Sequence, residues 1–571
     1  MKIEMKFQGM TCLECAQNLQ RALRSVPGVE SAEVSYPTKQ GTVVASDEVR
    51  TEALLEVVER TGYRAEIVSD GAEATGSTGA STIEMPRAPG RRAAGTTRAD
   101  GGAFDYDLLI VGTGGAGTAA AIRASELGAM VAIVEGANVV GGTCVNIGCI
   151  PSKNLIEAAH HYHTARTAFP GIQPCDPQLA WAEVLRQKRE IVDSLRQEKY
   201  LDVLSSYEGI TLLRGRARLV ADGGVRVGEQ EVRARKVILA TGTRPALPPI
   251  PGLAEAGALD STTAMELERL PKSMIVIGAG AIGLELGQAF SRFGVRVIVI
   301  EALDRVVPTE DPDLSAALQR ALEAEGIEIH TGVKVTGVTR DEGGYAVQVR
   351  DGSLTGEIRA EQLLVATGRA PNTEDLGLED AGVEADRRGF IKVDEFMRTS
   401  NPDVFAAGDV TGGPGYVYVA AYGGGIAAQA ALSEIAGEEP IPADLSTTPR
   451  VTFSDPQVAA VGMTEEEART AGLKPKVTSM PVEYLPRSYV SYRRHGVIKL
   501  VADTESDRLL GAHIVAPNAG DIIGEAVLAV RFGLRVQEVV STLHPYLTWA
   551  EGIKLAGQTF TKDVAKLSCC A

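Results

Sequence analysis

Six of the seven cysteines in this chain fall in close pairs: Cys12 with Cys15, Cys144 with Cys149, and Cys569 with Cys570, while Cys175 stands alone. An odd count and short spacings fit a disulfide framework poorly; in a reducing compartment such pairs read as metal-binding or redox centres. Cys144 and Cys149, five apart at an expected helix start, can close into a disulfide, and a helix N-terminus favours the thiolate that exchange needs. Cys12-Leu-Glu-Cys15 lies on a loop leading into a helix, where two thiolates can converge on one soft ion. Cys569 and Cys570 are neighbours, so their Cα atoms are ~3.8 Å apart, below the usual ~4.4–6.8 Å of a disulfide. They are expected to remain a free dithiol, which on a tail is a mobile ligand for a soft metal. Cys175 is expected to be a half-buried, inert thiol.

The elements that must position these groups follow from periodicity. Residues 1–68 read as βαββαβ, with strands at 3–8, 29–36, 42–45 and 64–68 and helices at 14–26 and 51–60. Residues 69–104 are rich in Gly, Ala, Ser and Thr and short of periodic apolar residues, the composition of a flexible tether. Long α/β alternation begins at Asp105. An apolar strand runs into Gly112-Thr-Gly114-Gly-Ala-Gly117, a helix follows, and the next strand, 130–134, ends at Glu135. The pattern recurs as Gly278-Ala-Gly280-Ala-Ile-Gly283, with strand 296–300 ending at Glu301. Such glycines allow a tight turn, close approach of a pyrophosphate and close helix–sheet packing, and the acid accepts from an adenosine ribose. Two fingerprints predict two dinucleotides, most naturally a flavin and a nicotinamide. Glu301 favours a free 2′-hydroxyl and hence NADH, while Arg305 nearby leaves room for NADPH.

The chain has 571 residues, which suggests three to five domains. Its formal net charge of −17 argues against a nucleic-acid partner. No run approaches the ~18 apolar residues of a membrane span, and the first residues lack the apolar core of a signal peptide. A cytoplasmic protein is expected.

The string Gly141-Gly-Thr-Cys144-Val-Asn-Ile-Gly-Cys149-Ile-Pro-Ser-Lys153 resembles the redox segment of the glutathione reductase and lipoamide dehydrogenase family, and the resemblance spans 105–571. It implies an α/β fold with two Rossmann-like domains and an α+β dimerisation domain, here preceded by a ferredoxin-like metal-binding domain. The implied boundaries are 1–68 for the metal-binding domain, 69–104 for the linker, 105–262 and 373–446 for the FAD domain, 263–372 for the NAD(P) domain, and 447–571 for dimerisation and tail. It further implies that Cys149 lies next to the flavin, that Cys144 meets substrate, and that Lys153 sits near the flavin N5 paired with Glu285. Asp409, in Val404-Phe-Ala-Ala-Gly-Asp409, would hold the ribityl chain, with Thr143, Ala217 and Val417 as further flavin contacts. Ala240-Thr-Gly-Thr and Ala366-Thr-Gly-Arg match the family's turns at domain crossings.

Three features depart from the disulfide-reductase pattern. That pattern closes with His-Pro-Thr-x-x-Glu; counting back from Glu551 in Leu543-His-Pro-Tyr546-Leu-Thr-Trp-Ala-Glu551 puts Tyr546 in place of the imidazole and Leu547 in place of the proline. A phenol, with a pKa of about 10, is a poor proton donor or acceptor near neutrality. Alternatively His544, two residues early, swings in to substitute. The terminal Cys569-Cys570 is the second departure. The third is Gly9-Met-Thr-Cys12-Leu-Glu-Cys15, which resembles the heavy-metal-associated domain of copper chaperones and mercury-binding proteins; a thioredoxin-like redox role is the alternative. Together these features resemble the mercuric reductase branch. That resemblance implies Hg(II) as substrate, FAD with NADPH or NADH, a homodimer whose active site is shared between subunits, and Tyr200 with Tyr546 around the metal. Two other readings stay open: a lipoamide-type reductase whose terminal pair shuttles electrons, and a binding protein that delivers Cu(I).

Overall fold

The computed structural model describes residues 104–220, 224–350 and 355–566, and most of 2–68 apart from 9–18, 36–39 and some single positions. It divides into two compact units, Met1–Gly90 and Arg91–Ala571.

In the smaller unit an antiparallel sheet runs in the order Val29–Ser35, Gln40–Ala45, Lys2–Gln8, Arg64–Val68. Ile3, Met5 and Phe7 alternate onto its buried face, the period-two pattern of a half-covered strand. Leu19 and Leu23 from one helix, and Leu54 and Val58 from the helix Thr51–Arg60, pack against them. Both pairs are four apart and so share a helix face. This is the ferredoxin-like arrangement the periodicity predicts. Cys12 and Cys15, and the tether from 69 to 103, lie outside the described residues.

Among the described residues the larger unit holds two parallel sheets, one five-stranded antiparallel sheet and three smaller antiparallel sheets. The first parallel sheet runs Val404–Ala406, Ala234–Leu239, Tyr106–Val111, Val131–Glu135, Ile210–Arg214. Its outermost strand comes from a late stretch of chain, so two separate segments build this layer. The second runs Glu328–His330, Arg296–Ile300, Ser273–Ile277, Gln362–Val365. Leu108, Leu109 and Ile110 are wholly buried, as continuous apolar strands must be when both faces of a parallel sheet are covered. The helices Gly115–Glu126 and Val417–Ala436 share a core with the first sheet and pack against each other at very short range. A Cβ on Gly424 would lie 2.1 Å from the Ala116 carbonyl oxygen, so small residues set that approach. The five-stranded antiparallel sheet runs Arg450–Thr452, Gln457–Gly462, Leu509–Ala516, Val497–Asp503, Pro475–Pro481. Among the described residues no helix is long and apolar enough to cross a membrane.

Candidate active site

Two consecutive helices after the strand Val131–Glu135 carry the redox cysteines. Cys144 lies in the short helix Gly142–Ile147 and Cys149 opens the long helix Cys149–Arg166. Both thiols are free and half-buried. The Cys144 S–H donates to the Cys149 sulfur, which lowers the Cys149 pKa to about 7; the Lys153 ammonium and the backbone N–H at the helix start act the same way, against burial. Cys144 is pushed strongly upward by donating that bond, by burial and by the charge on Cys149. The pair is therefore polarised, with thiolate character favoured at Cys149 and disfavoured at Cys144.

Lys153 Nζ pairs with Glu285 Oε2 at 2.7 Å, as the family resemblance implies. The other oxygen of this buried carboxylate accepts from the Phe453 N–H at 2.7 Å, and the Lys153 ammonium lies 4.7 Å from the Phe453 ring centre. Phe453 gave no signal in the sequence; it comes from the antiparallel-sheet segment and is found only through the fold. Tyr200 sits on a π-helical turn, Gln197–Leu201. Burial raises its pKa, and the charges of Cys144 and Cys149 raise it further, so the phenol keeps its proton beside them.

The two fingerprints fold alike. Gly112 has φ +109° and Gly278 φ +103°, a region closed to most side chains. A Cβ on Gly112 would lie 2.3 Å from the Ala240 carbonyl oxygen, and one on Gly278 2.5 Å from that of Ala366. The turns at 240 and 366 thus press against equivalent glycines. Gly117 and Gly283 make the close helix–strand contact, where a Cβ would fall 1.8 Å and 2.0 Å from the carbonyl oxygens of Gly112 and Gly278. Beside Gly280 nothing lies within 4 Å of a built Cβ, and beside Gly114 only the Gly142 Cα at 3.7 Å, which leaves room for a pyrophosphate. Thr241 Oγ1 is buried without a partner among the described residues, a polar atom that a bound nucleotide can satisfy.

Glu135 closes its strand, and its oxygens already accept from the Thr113 hydroxyl and, at 2.7 Å, the Ala137 N–H. Glu301 accepts from Ala279 N at 2.7 Å and Leu303 N at 2.9 Å. Each carboxylate is pinned by its own loop, with a second lone pair per oxygen free for a ribose. Asp409 accepts from Thr243 Oγ1 at 3.1 Å, and Arg369 clamps Thr243 through Oγ1 at 2.7 Å and its carbonyl at 2.8 Å. Val417 begins its helix, its Cγ2 3.0 Å from a Cβ built on Gly115. Ala217 opens the strand Ala217–Leu219, and Thr143 lies beside Cys144 in its short helix.

Residues 106–424 match the family described as pyridine nucleotide-disulphide oxidoreductase, 448–556 its dimerisation domain, and 4–64 the heavy-metal-associated domain. The mercuric reductase of Staphylococcus aureus is 40% identical over 566 residues, covering 99% of this chain and 98% of that protein. That of Lysinibacillus sphaericus is 39% identical over 571 residues and covers both chains fully. Among solved structures, the HOCl-induced flavoprotein disulfide reductase RclA from Escherichia coli superposes with a TM-score of 0.71 at 29% identity, over 80% of this chain and 100% of that one.

The chain belongs to the mercuric reductase family.

Membership of the pyridine nucleotide-disulphide oxidoreductase family implies FAD and NAD(P)H as cofactors of this mercuric reductase family member. The family's terminal cysteines, Cys569 and Cys570, lie outside the described residues. Tyr546 is 50% exposed on the loop before the helix Glu551–Gln558, with Leu543 beside it 94% exposed. Buried Glu551 holds that loop, accepting from the Leu547 N–H at 3.2 Å. His544, the alternative acid, is engaged on both sides of its ring in this structure. Its Nε2 is 2.6 Å from Glu525 Oε1 and its Nδ1 2.9 Å from the Thr542 carbonyl oxygen, and the side chain is almost fully buried. Both nitrogens are spent on acceptors. Cys175 also differs from expectation: it is exposed, with its thiol on the Ala165 carbonyl at 3.4 Å.

Proposed function

We propose that the chain reduces thiol-bound Hg(II) to Hg(0) with electrons from NAD(P)H, in a cytoplasmic setting. Overall, NAD(P)H and Hg(II) give NAD(P)⁺, a proton and Hg(0). FAD, when bound, accepts the nicotinamide hydride and supplies the electron pair to the metal. Gly112, Gly114, Gly117, Glu135, Thr143, Ala217, Asp409 and Val417 would hold it, and Gly278, Gly280, Gly283 and Glu301 the nicotinamide nucleotide.

Cys12 and Cys15 capture Hg(II) from external thiols, and Cys569 and Cys570 of the partner subunit carry it to Cys144 and Cys149. Each transfer is a ligand exchange: a protein sulfur bonds to the metal, and the outgoing thiolate leaves with the proton that sulfur released. Cys144, the thiol that meets the incoming metal, yields its proton as its sulfur bonds, and the Cys149 thiolate supplies the second ligand. Lys153, fixed by Glu285, keeps the positive charge that stabilises Cys149. Tyr200, its phenol kept protonated by burial and by the neighbouring sulfurs, and Tyr546 of the partner subunit position the metal.

The observation that favours a metal over a disulfide is the commitment of His544 to Glu525 and Thr542, with Tyr546 standing where the acid would be. A disulfide's leaving thiolate needs a proton there; a bound metal does not. Anaerobic oxidation of NAD(P)H that requires Hg(II) in excess thiol and releases volatile mercury is the expected result. Brisk turnover of dihydrolipoamide with NAD, and none with Hg(II), would sink the proposal. NADH is the preferred donor on this reading. The Glu301 carboxylate at its strand end would repel a 2′-phosphate, and Arg305 is turned onto Asp304 at 3.3 Å and the Pro308 carbonyl at 3.2 Å.

A further inference from the structure

Asn146 lies between the redox cysteines, and its carboxamide is fully committed. Nδ2 donates to the carbonyls of Val140 at 2.9 Å and Gly142 at 2.8 Å, while Oδ1 accepts from Nε of Arg196 at 2.6 Å. Two carbonyls on one side and a guanidinium on the other permit only one orientation of the amide. Arg196 is the last residue of the helix Trp181–Arg196, is tied to Asp193 at 2.9 Å, and is followed at once by the π-helical turn. Arg196 and Tyr200 are four apart and so lie on one side of that segment. Gly141 marks where they meet. A Cβ on it would lie 3.4 Å from Asn146 Nδ2 and 3.4 Å from Tyr200 Cδ2, so the amide and the ring flank the same backbone atom. Single π-turns are uncommon and recur at functional sites.

We propose that Asn146 and Arg196 are positioning residues that hold Tyr200 against the Cys144–Cys149 pair. Arg196 sets the register of the π-turn as it leaves the helix. Asn146 transmits that register to the Gly142 carbonyl, at the head of the short helix bearing Cys144. Without the guanidinium the turn loses its anchor, the Tyr200 ring withdraws from Gly141, and the Cys144–Cys149 pair becomes more accessible. The consequence for turnover rests on the Hg(II) reading; the consequence for the pair does not.

The test uses full-length FAD-loaded enzyme reduced anaerobically with NADH. Iodoacetamide labelling of the Cys144–Cys149 pair, followed by mass spectrometry, and steady-state turnover on thiol-bound Hg(II) are measured for wild type and four variants. These are Arg196→Met, which keeps the apolar stem, Arg196→Lys, Tyr200→Ala, and Arg196→Met combined with Tyr200→Ala. Arg196→Met is expected to speed labelling several-fold and to raise KM for Hg(II) more than it lowers kcat, with Arg196→Lys recovering part of both. In the Tyr200→Ala background Arg196→Met is expected to add nothing, the non-additivity of residues that act as one unit. Additive effects, or labelling unchanged by Arg196→Met, would overturn the proposal. If no variant and not even wild type turns over Hg(II) while labelling stays non-additive, the Hg(II) reading falls and the positioning role stands.

Discussion

Cys149 and Cys144 are chemically alike in sequence and opposite in the structure. Thiolate character is favoured near neutrality at one and disfavoured at the other, because a single S–H between them biases which sulfur carries the charge. Alkylation of Cys149 in the reduced enzyme should therefore accelerate as pH rises through about 7 and level off above it. The Lys153 charge favours the thiolate, so Lys153→Met should move that midpoint upward; an unmoved midpoint would show that the ammonium does not reach the sulfur. Glu301 allows a second residue-scale prediction. Glu301→Gln removes the repulsion of a 2′-phosphate, and the ratio of KM for NADPH to KM for NADH should fall by roughly tenfold, about 1.4 kcal/mol. An unchanged ratio would place nicotinamide choice elsewhere. At this scale the sequence was legible where chemistry is local, as in the cysteine spacing, the glycines and the Lys153–Glu285 pairing implied by the family. It was silent on Phe453 and on the Asn146–Arg196 contact, which join residues far apart in the chain and exist only once helices and sheets have packed.

At the scale of elements, the loop carrying Tyr546 is not a disulfide-reductase loop with one residue exchanged. Leu547 occupies the family proline's place but has φ +62°, and its N–H donates to Glu551. Proline, fixed near φ of about −65° and lacking an N–H, fits neither demand. Leu547→Pro should lower stability by about 3 kcal/mol or more, read as a fall in Tm, whereas Leu547→Gly should be tolerated because glycine enters that region freely. Equal damage from both would mean that the leucine side chain, rather than the backbone, holds the loop. The alignment of motifs shows which residue replaces which, but the sign of φ becomes visible only in the folded loop. The exposure of Cys175 was likewise hidden: a lone thiol in a run without clear periodicity carries no mark of which way it faces.

For the whole molecule, the proposal that each site is shared between two subunits predicts complementation. Chains bearing Cys144→Ser, and chains bearing Cys569→Ser with Cys570→Ser, should each be inactive alone on thiol-bound Hg(II). Mixed under conditions that exchange subunits, half the dimers are hybrids with one complete site, so activity should recover to about a quarter of wild type. Absence of recovery, with hybrid formation verified by mass, would place the tail and the cysteine pair of one site on the same chain.

The exposed thiol of Cys175 then acquires a meaning of its own. A surface sulfur on an enzyme that handles a thiophilic ion is an open trap, yet it can grip with one hand only. Each pair along the proposed route grips with two, and once the first sulfur is bonded the second acts at an effective concentration in the millimolar range. Metal caught at Cys175 is therefore drawn off toward the paired sites, and the enzyme can display a solitary thiol without being poisoned by its own substrate.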